Sequence, residues 1–235
     1  VGAAIGTASA ELVAASITMY ILCFRSKELS LRIDTGRFMP TWGVVKRALH
    51  ISLPMGLQQT IMCSAYVMTT IIIAPLGTFA IAANSFGIII ESLCYMPGYG
   101  IADAATTLVG QSMGAGRHEL MKRFAWLSVG LGVTVMAVMG VVMYVGAPTA
   151  MAMMTPAEEV RRLGVEVLRI EAFAEPMFAA AIVSYGVFVG AAKTLVPSIM
   201  NLISIWGVRI SLAAMLAPSM GLRGVWIAMC IELCF

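Results

Sequence analysis

The sequence predicts an all-α polytopic membrane protein, and three observations support this fold class. Of its 235 residues, 60% are hydrophobic and only 11% are charged, and the mean hydropathy is +0.92. A soluble domain carries roughly 25% charged residues, so this chain has too few charges to cover a surface in water. Apolar runs recur at the length of about 20 residues with which a helix crosses a bilayer. These runs are also too long for strands.

Seven apolar segments follow one another along the chain, and we expect each to form a transmembrane helix. The third is unusually long and contains the pair Pro97-Gly98, at which we expect a break. The chain has no initiator Met and stops inside an apolar run, so we expect a fragment of a longer membrane protein. In order, the segments are 2–24, 50–74, 79–113, 124–147, 168–192, 195–217 and a last one that begins near residue 222.

The loops between these segments carry unequal charge on the two sides of the membrane. One side receives ten Lys and Arg residues and the other receives four. Since basic loops stay in the cytoplasm, the long polar loop 25–49 is predicted to be cytoplasmic, in a multi-pass protein of the plasma (inner) membrane. Its end, "PTWGVVKRALHISLP", has the pattern of a short amphipathic helix on the membrane surface, with a protein-docking site as the alternative. This loop divides the chain into 1–24, 25–49 and 50–235.

The stretch "DAATTLVGQSMGAGRHE" contains Gly110, Gly114 and Gly116 at a spacing typical of a nucleotide-binding loop. A dinucleotide loop follows a strand, and a P-loop ends in Gly-Lys-Ser/Thr. Here a helix of membrane length comes first, and that ending is absent. On a helix, Gly110 and Gly114 form a Gly-x-x-x-Gly pair, which lets another helix approach closely in lipid. We therefore expect the glycines to pack helices and to end one.

The same region resembles the eighth helix of MATE transporters, the multidrug and toxic compound extrusion family. The stretch "MPGYGIADAATTLVGQSMGAGR" is similar to the family's Pro-x-Gly, Ala-rich and Val-Gly-Gln-x-x-Gly-Ala-Gly pattern. Together with it, further stretches in the family's order extend the resemblance over nearly the whole chain. They are "VGAAIGTASAELVAA", "ISLPMGLQQ", "GVFVGAAKTLVPSIMNL" and "GLRGVWIA".

The resemblance implies a twelve-helix transporter of two six-helix lobes. Residues 1–24 would be the last helix of the N-terminal lobe, 25–49 the cytoplasmic inter-lobe loop, and 50–235 a C-terminal lobe truncated at its end. The missing N-terminal lobe would belong to the same chain. The resemblance also implies a cation-coupled antiporter, in which H⁺ or Na⁺ drives export of organic, often cationic, drugs or toxic compounds by alternating access.

Ionisable groups at membrane depth are costly and are therefore functional candidates. The resemblance implies a cation-binding aspartate at a position where this chain has Phe178, and Glu175 is the nearest carboxylate. Glu175 is thus one candidate for cation coupling. Glu11, which lies midway along the first segment, and Thr7, which matches a threonine of the family's sixth-helix motif, are the others. Coupling through the missing N-terminal lobe is the alternative.

Polar and aromatic residues on the second, third and fifth segments are candidates for a substrate cavity. Gln58 and Gln59 lie near a position where many relatives carry an acidic residue, and their amides can bind polar groups but carry no proton. Glu91 and Asn84 lie on nearly the same face of the third segment. The full set of cavity candidates is Gln58, Gln59, Asn84, Glu91, Tyr66 and Phe178.

Other residues are expected to have structural roles. Arg209 lies midway along the sixth segment, and we expect it to form an ion pair with Glu232 or Glu175. Asp103 follows the expected break and is expected to satisfy local helix polarity. The structural set is Asp103, Arg209, Gly110 and Gly114.

The sequence contains no residue set that indicates catalysis or metal binding. Neither His has a second His at metal spacing, and no Cys-x-x-Cys pair occurs. We therefore expect no enzyme activity and no cofactor besides the coupling ion, and a net charge of +3 is too small to indicate nucleic acid. The expected partners of this monomer are organic small molecules and the bilayer. The alternatives are a lipid-linked oligosaccharide flippase or polysaccharide exporter of the same superfamily and, less favoured, an integral membrane enzyme.

Overall fold

The fold is entirely helical over the part of the chain that our computed structural model describes, residues 2–25 and 41–234. No strand occurs among these residues, which confirms the predicted fold class. Short π-helical turns follow α1 and α7, at Ile21–Arg25 and Ser204–Ile210. The helices are α1 (Gly2–Tyr20), α2 (Trp42–Ile73), α3 (Thr78–Gly114), α4 (His118–Met154), α5 (Glu158–Glu171), α6 (Glu175–Gly190), α7 (Leu195–Ile203), α8 (Ser211–Met220) and α9 (Leu222–Cys234).

The described residues fall into two compact units that divide between Lys46 and Arg47. The first unit contains α1, whose side chains are exposed wherever they are described. Much of the predicted loop 25–49 lies outside the described residues, so the division into 1–24, 25–49 and 50–235 stays a prediction. The second unit contains the helical bundle that carries the site.

The described part of "PTWGVVKRALHISLP" forms the start of α2, which runs from Trp42 to Ile73, so it is not a short helix of its own. Its location on the membrane surface stays a prediction. The expected break at Pro97-Gly98 is wrong, because α3 continues through Pro97 to Gly114. Within a membrane bundle, neighbouring helices and hydroxyl side chains can satisfy the backbone groups that a proline frees, so a proline need not end a helix.

The described part of the chain has fewer helices that are long and apolar enough to cross a membrane than the seven segments that the sequence predicts. Among the described residues, four helices are long and apolar enough to cross a membrane, or five if the bent pair α5 and α6 counts as one span. The spans that pass are Gly56–Leu76, Thr78–Gly114, His118–Met154 and Leu195–Met220.

Helices α3 and α6 pack closely because small residues line both sides of their contact. A Cβ added at Gly186 would lie 2.6 Å from the carbonyl oxygen of Ala102, and one at Gly190 would overlap that of Thr106. The Thr106 hydroxyl donates across this contact to the Gly186 carbonyl at 2.8 Å. Such close backbone approach is the usual means of helix association in lipid.

A larger apolar core fills the other end of the bundle, around Trp226 of α9. This indole ring is 2% exposed, and a Cβ at Gly87 of α3 would lie 3.0 Å from it. Helices α2, α3, α4, α5, α8 and α9 all contribute buried residues to this core. The core holds α5 and α9 against α3 and thereby fixes the elements that carry the site.

Candidate functional site

The bent helix pair α5–α6 carries two buried glutamates, one on each side of the bend. Helix α5 ends at Glu171 and α6 begins at Glu175, and the two axes meet at 59°. Both side chains are 2% exposed. Among the described residues, neither oxygen of the Glu175 carboxyl has a hydrogen-bond partner, and Oε2 of Glu171 has none. Unpaired polar atoms in a dry interior are costly, and they mark candidate functional groups.

Local sequence explains why the chain bends here. Pro176 occupies the first turn of α6, where its fixed φ angle and missing N–H suit a helix start. Before it, the Ala174 N–H donates to the Glu171 carbonyl at 2.8 Å, so the chain tightens into a turn. Helix α4 packs directly on this turn, because a Cβ at Gly140 would lie 2.7 Å from the Ala172 carbonyl oxygen. Glu175, at the end of this turn, is buried in the packed bundle.

The sequence-based prediction of one span over 168–192 is therefore wrong in detail. The span is interrupted after Glu171, and the preceding charged stretch forms α5 from Glu158 onward. Glu171 was missed because it was assigned to this charged stretch. Its spacing of four from Glu175, with apolar residues between and after them, is the signal that could have identified it.

Further charged groups surround the two glutamates. Glu91 of α3 and Glu232 of α9 lie within electrostatic range of Glu171, and so does Arg209 of the π-helical turn. Glu91 is also within electrostatic range of Glu175. Three further carboxyl groups and one guanidinium group thus lie within electrostatic range of the Glu171 carboxyl. We refer to Glu91, Glu171, Glu175 and Glu232 as the carboxyl cluster.

Arg209 does not form the ion pair that we expected. Among the described residues, no carboxylate oxygen lies within 4.0 Å of its guanidinium group; the ion pairs there are Lys122–Glu119 and Arg223–Glu166. The guanidinium instead donates to the Met229 sulfur. Glu232, one of the two expected counter-ions, accepts a hydrogen bond from the Ser204 hydroxyl at 2.9 Å.

An aromatic patch lies beside the carboxyl cluster. Phe178 of α6 makes edge-to-face contacts with Tyr95 and Tyr99 of α3, with ring centroids 5.7 and 6.5 Å apart. Tyr66 of α2 is 47% exposed and lies within electrostatic range of both tyrosines and of Glu91. The structure thus brings together three of the predicted cavity residues, Tyr66, Glu91 and Phe178.

The predicted amides lie apart from this patch and have other partners. The Gln58 carbonyl oxygen accepts hydrogen bonds from the Tyr185 and Ser198 hydroxyls at 2.7 and 2.8 Å. Gln59 is exposed, and its amide contacts Cys63. The Asn84 carbonyl oxygen accepts from the Trp226 indole N–H at 3.0 Å. Gln58 and Asn84 therefore use their amide oxygens to hold helices together.

The remaining candidates lie outside the carboxyl cluster. Asp103 is exposed on α3, and Glu11 and Thr7 are exposed on α1 in the first unit. A Cβ at Gly110 would lie 3.4 Å from the Gly190 carbonyl, whereas at Gly114 it would meet nothing within 4 Å. The structure thus supports the expected packing role for Gly110, whereas no described residue of another helix lies within 4 Å of a Cβ at Gly114 and its packing role stays a prediction. Helix α3 ends at Gly114, as expected.

The described residues include no group of three or more metal-ligating side chains at metal-binding geometry. What they offer is a set of carboxyl groups that can take up a proton or a cation, flanked by aromatic rings. A helical bundle with such groups at membrane depth is typical of transporters.

This class agrees with the comparison of the chain with known proteins. The MatE family model matches residues 54–215, which is more than half of the chain. The chain therefore belongs to the MATE family of multidrug efflux transporters and is a multi-pass membrane protein. This confirms the resemblance inferred from the motifs around Gly110.

Curated relatives have similar sequences over much or all of the chain. It is 28% identical to the probable multidrug resistance protein NorM of Thermotoga maritima, over 100% of this chain and 50% of that protein. It is 30% identical to the corresponding protein of Brucella suis biovar 1, over 82% of this chain and 42% of that protein. The chain thus spans about half the length of the curated relatives it matches.

Solved structures share the fold at lower identity. A crystal structure of MATE in complex with MaL6 superposes with a TM-score of 0.86 at 20% identity, covering 99% of this chain and 53% of that one. The Vibrio cholerae MATE transporter VcmN in the bent form gives 0.78 at 17% identity, covering 84% and 45%. A MOP superfamily transporter from Pyrococcus furiosus gives 0.84 at 20% identity, covering 99% and 53%.

Proposed function

We propose that the complete protein is a cation-coupled antiporter that exports organic, typically cationic, compounds across the plasma membrane. A proton or sodium gradient drives export, and two lobes alternate between outward-open and inward-open states. The second lobe comes from the same chain, and the protein acts as a monomer with loop 25–49 in the cytoplasm. It needs no cofactor besides the coupling ion, and it performs no catalysis.

The observation that carries this proposal is the pair of buried carboxyl groups at the α5–α6 bend, because both oxygens of Glu175 and Oε2 of Glu171 lack a hydrogen-bond partner among the described residues. A carboxylate that is 2% exposed and lacks hydrogen-bond partners among the described residues is strongly favoured to bind a proton or cation. Glu175 is therefore our main coupling residue in this lobe, and Glu171 joins it. Glu11 and Thr7 remain candidates for a separate contribution of the N-terminal lobe.

The substrate proposal rests on the aromatic patch. Tyr66 and Tyr99 are 47% and 43% exposed, so their rings are accessible. Aromatic faces attract organic cations, and Glu91 supplies a negative charge within electrostatic range of both rings. We propose that a cationic compound binds here and competes with the coupling ion for the negative charge of the carboxyl cluster.

The alternative, a flippase for lipid-linked oligosaccharides or a polysaccharide exporter, would handle anionic phosphate groups. Such a function favours a cavity rich in Lys and Arg. The carboxyl cluster has four acidic side chains, and one arginine, Arg209, lies within electrostatic range of it. This balance of charge supports export of cations.

The test is transport by the complete protein in proteoliposomes. An imposed proton or sodium gradient should drive export of a cationic dye, and Glu175→Gln should abolish the coupling. Glu159→Gln is the matched control, because Glu159 is exposed on the same bent helix pair, and it should transport normally. If neither gradient drives export by the wild-type protein, the antiporter proposal is wrong. If Glu175→Gln shows normal coupling, Glu175 is not the coupling residue and the coupling ion binds at another site.

A further inference from the structure

Arg209 is a charged side chain at membrane depth whose hydrogen-bond partner is uncharged. Its guanidinium group donates to the Met229 sulfur, although a thioether is only a weak acceptor. Among the described residues, no carboxylate lies within ion-pair distance of it. The guanidinium is nevertheless within electrostatic range of Glu91 and Glu171. Arg209 thus donates to the weak acceptor Met229 although carboxyl groups, which are strong acceptors, lie within electrostatic range.

Arg209 would have to move only a short distance to exchange the Met229 sulfur for a carboxylate. Met229 and Glu232 lie three residues apart on α9 and therefore project from neighbouring turns of one face. Both are buried, at 7% and 8% exposed. The Glu232 carboxyl contacts the Ser204 hydroxyl, which belongs to the same π-helical turn as Arg209. One helical turn along α9 thus separates the present sulfur partner of Arg209 from a carboxylate.

The backbone that carries Arg209 is also unusual. Residues Ser204–Ile210 form a π-helical segment between two α-helices. Such segments are rare and occur frequently at functional sites. Arg209 thus lies on a part of the span whose backbone departs from the regular α-helix.

We propose that Arg209 is an internal counter-cation for the carboxyl cluster. When the cluster holds the coupling ion, Arg209 rests on the Met229 sulfur. When the ion leaves, Arg209 turns to the vacated carboxylate and compensates its charge, so that the empty cluster can remain buried while the lobe changes state. The proposal rests on the proposed antiport function. It adds a positioning residue that limits how tightly the coupling ion binds.

The groups within electrostatic range of Arg209 define what its charge acts on. They are Tyr66 of α2, Glu91 of α3 and Glu171 of α5. Glu232 of α9 and Glu175 of α6 complete the cluster through their own interaction with Glu171. Removal of a unit charge several ångströms away changes the binding of a cation at a partly buried site by about tenfold or more. Arg209→Met should therefore tighten proton binding, and the midpoint of the pH profile of transport should rise by about one unit or more.

The experiment measures dye efflux by the complete protein in proteoliposomes as a function of pH. Arg209→Met should move the midpoint to higher pH, whereas Arg209→Lys, which keeps the charge, should stay within about twofold in proton concentration. Met229→Leu removes the resting acceptor and should move the midpoint in the opposite direction, because Arg209 then spends more time at the carboxylates. Arg223→Met is the control for loss of an exposed arginine, since Arg223 pairs with Glu166 on the surface, and it should leave the midpoint unchanged.

The outcomes separate this inference from the antiporter proposal. A folded, active Arg209→Met with an unshifted midpoint would overturn the role of Arg209 while leaving antiport intact. If Arg209→Met does not fold, Met229→Leu tests the proposal instead. A midpoint of the Met229→Leu pH profile that is unchanged or lies at higher pH rejects the role of Arg209. If the wild type transports nothing, the melting temperature of each purified variant against pH gives the same comparison, because it reports protonation of the cluster without transport. The midpoint of that curve should rise in Arg209→Met.

Discussion

The carboxyl of Glu175 should lower the stability of the protein, and replacing Glu175 with Met tests this directly. The side chain is 2% exposed, and neither oxygen has a hydrogen-bond partner among the described residues. Met has a similar length and no unsatisfied polar atom, and a flexible thioether adapts to irregular space. The substitution therefore removes a polar group from a dry site without leaving a cavity.

The magnitude follows from the cost of an unpaired polar group. A buried polar group without a partner costs about 1–3 kcal/mol, and replacing a buried charge by an apolar side chain of similar volume often stabilises a protein by about 1–4 kcal/mol. We expect Glu175→Met to be more stable than the wild type by roughly 1–3 kcal/mol. Coupled transport should be lost in the same variant, because the carboxyl is the proposed coupling group.

The assay is the unfolding midpoint of the purified complete protein in detergent, measured alongside gradient-driven dye efflux. Glu159→Met is the matched control, because Glu159 is an exposed glutamate of α5, and its stability should stay within about 0.5 kcal/mol of the wild type. A loss of more than about 1 kcal/mol in Glu175→Met, with the control unchanged, would mean that the carboxyl makes a favourable interaction. The reasoning about the bend would then be wrong.

Three further predictions concern the packing and backbone of the bundle, and each is tested by the unfolding midpoint. Gly190→Ala should destabilise by about 1–3 kcal/mol, because its Cβ would overlap a carbonyl of α3, whereas Gly114→Ala should be neutral because nothing lies within 4 Å of that Cβ. Ala192→Gly should stabilise by roughly 1 kcal/mol, since Ala192, two residues after the end of α6, has a φ of +55°. A double-mutant cycle between Asn84→Leu and Trp226→Phe should give a coupling of about 1 kcal/mol for their hydrogen bond, and additive losses would contradict it.

The sequence was sufficient to predict the fold class because composition and segment length dominate in a membrane. It was less informative about where helices bend. Pro97 predicted a break that does not form, whereas the break after Glu171 was not predicted. A proline changes its own turn, but whether the helix continues depends on which neighbouring groups satisfy the freed backbone. Those neighbours are set by tertiary packing and cannot be read from local sequence.

The candidate site was predicted in part, for a related reason. Glu91, Glu175 and Arg209 could be identified singly because charges in apolar runs are conspicuous. Which of these side chains lie close to one another depends on how each helix is rotated about its axis. The expected ion pair between Arg209 and a carboxylate was therefore wrong. Glu171 could not be identified as a site residue because the stretch before it carries many other charges. The structure shows these charges on an amphipathic helix, with Glu171 buried at its end and Glu158 exposed at its start.

The packing of the bend and the chemistry of the site depend on each other. Gly140 lets α4 approach the turn so closely that a Cβ there would lie 3.3 Å from the Cβ of Glu175. The side chain of Glu175 is 2% exposed beside this contact, and a buried carboxylate must take up a proton or cation or remain costly. A larger residue at position 140 would push α4 away, admit water and relieve this cost. If the bundle were packed less tightly at this point, the buried carboxylates would cost less free energy, and the driving force for binding a coupling ion would be smaller.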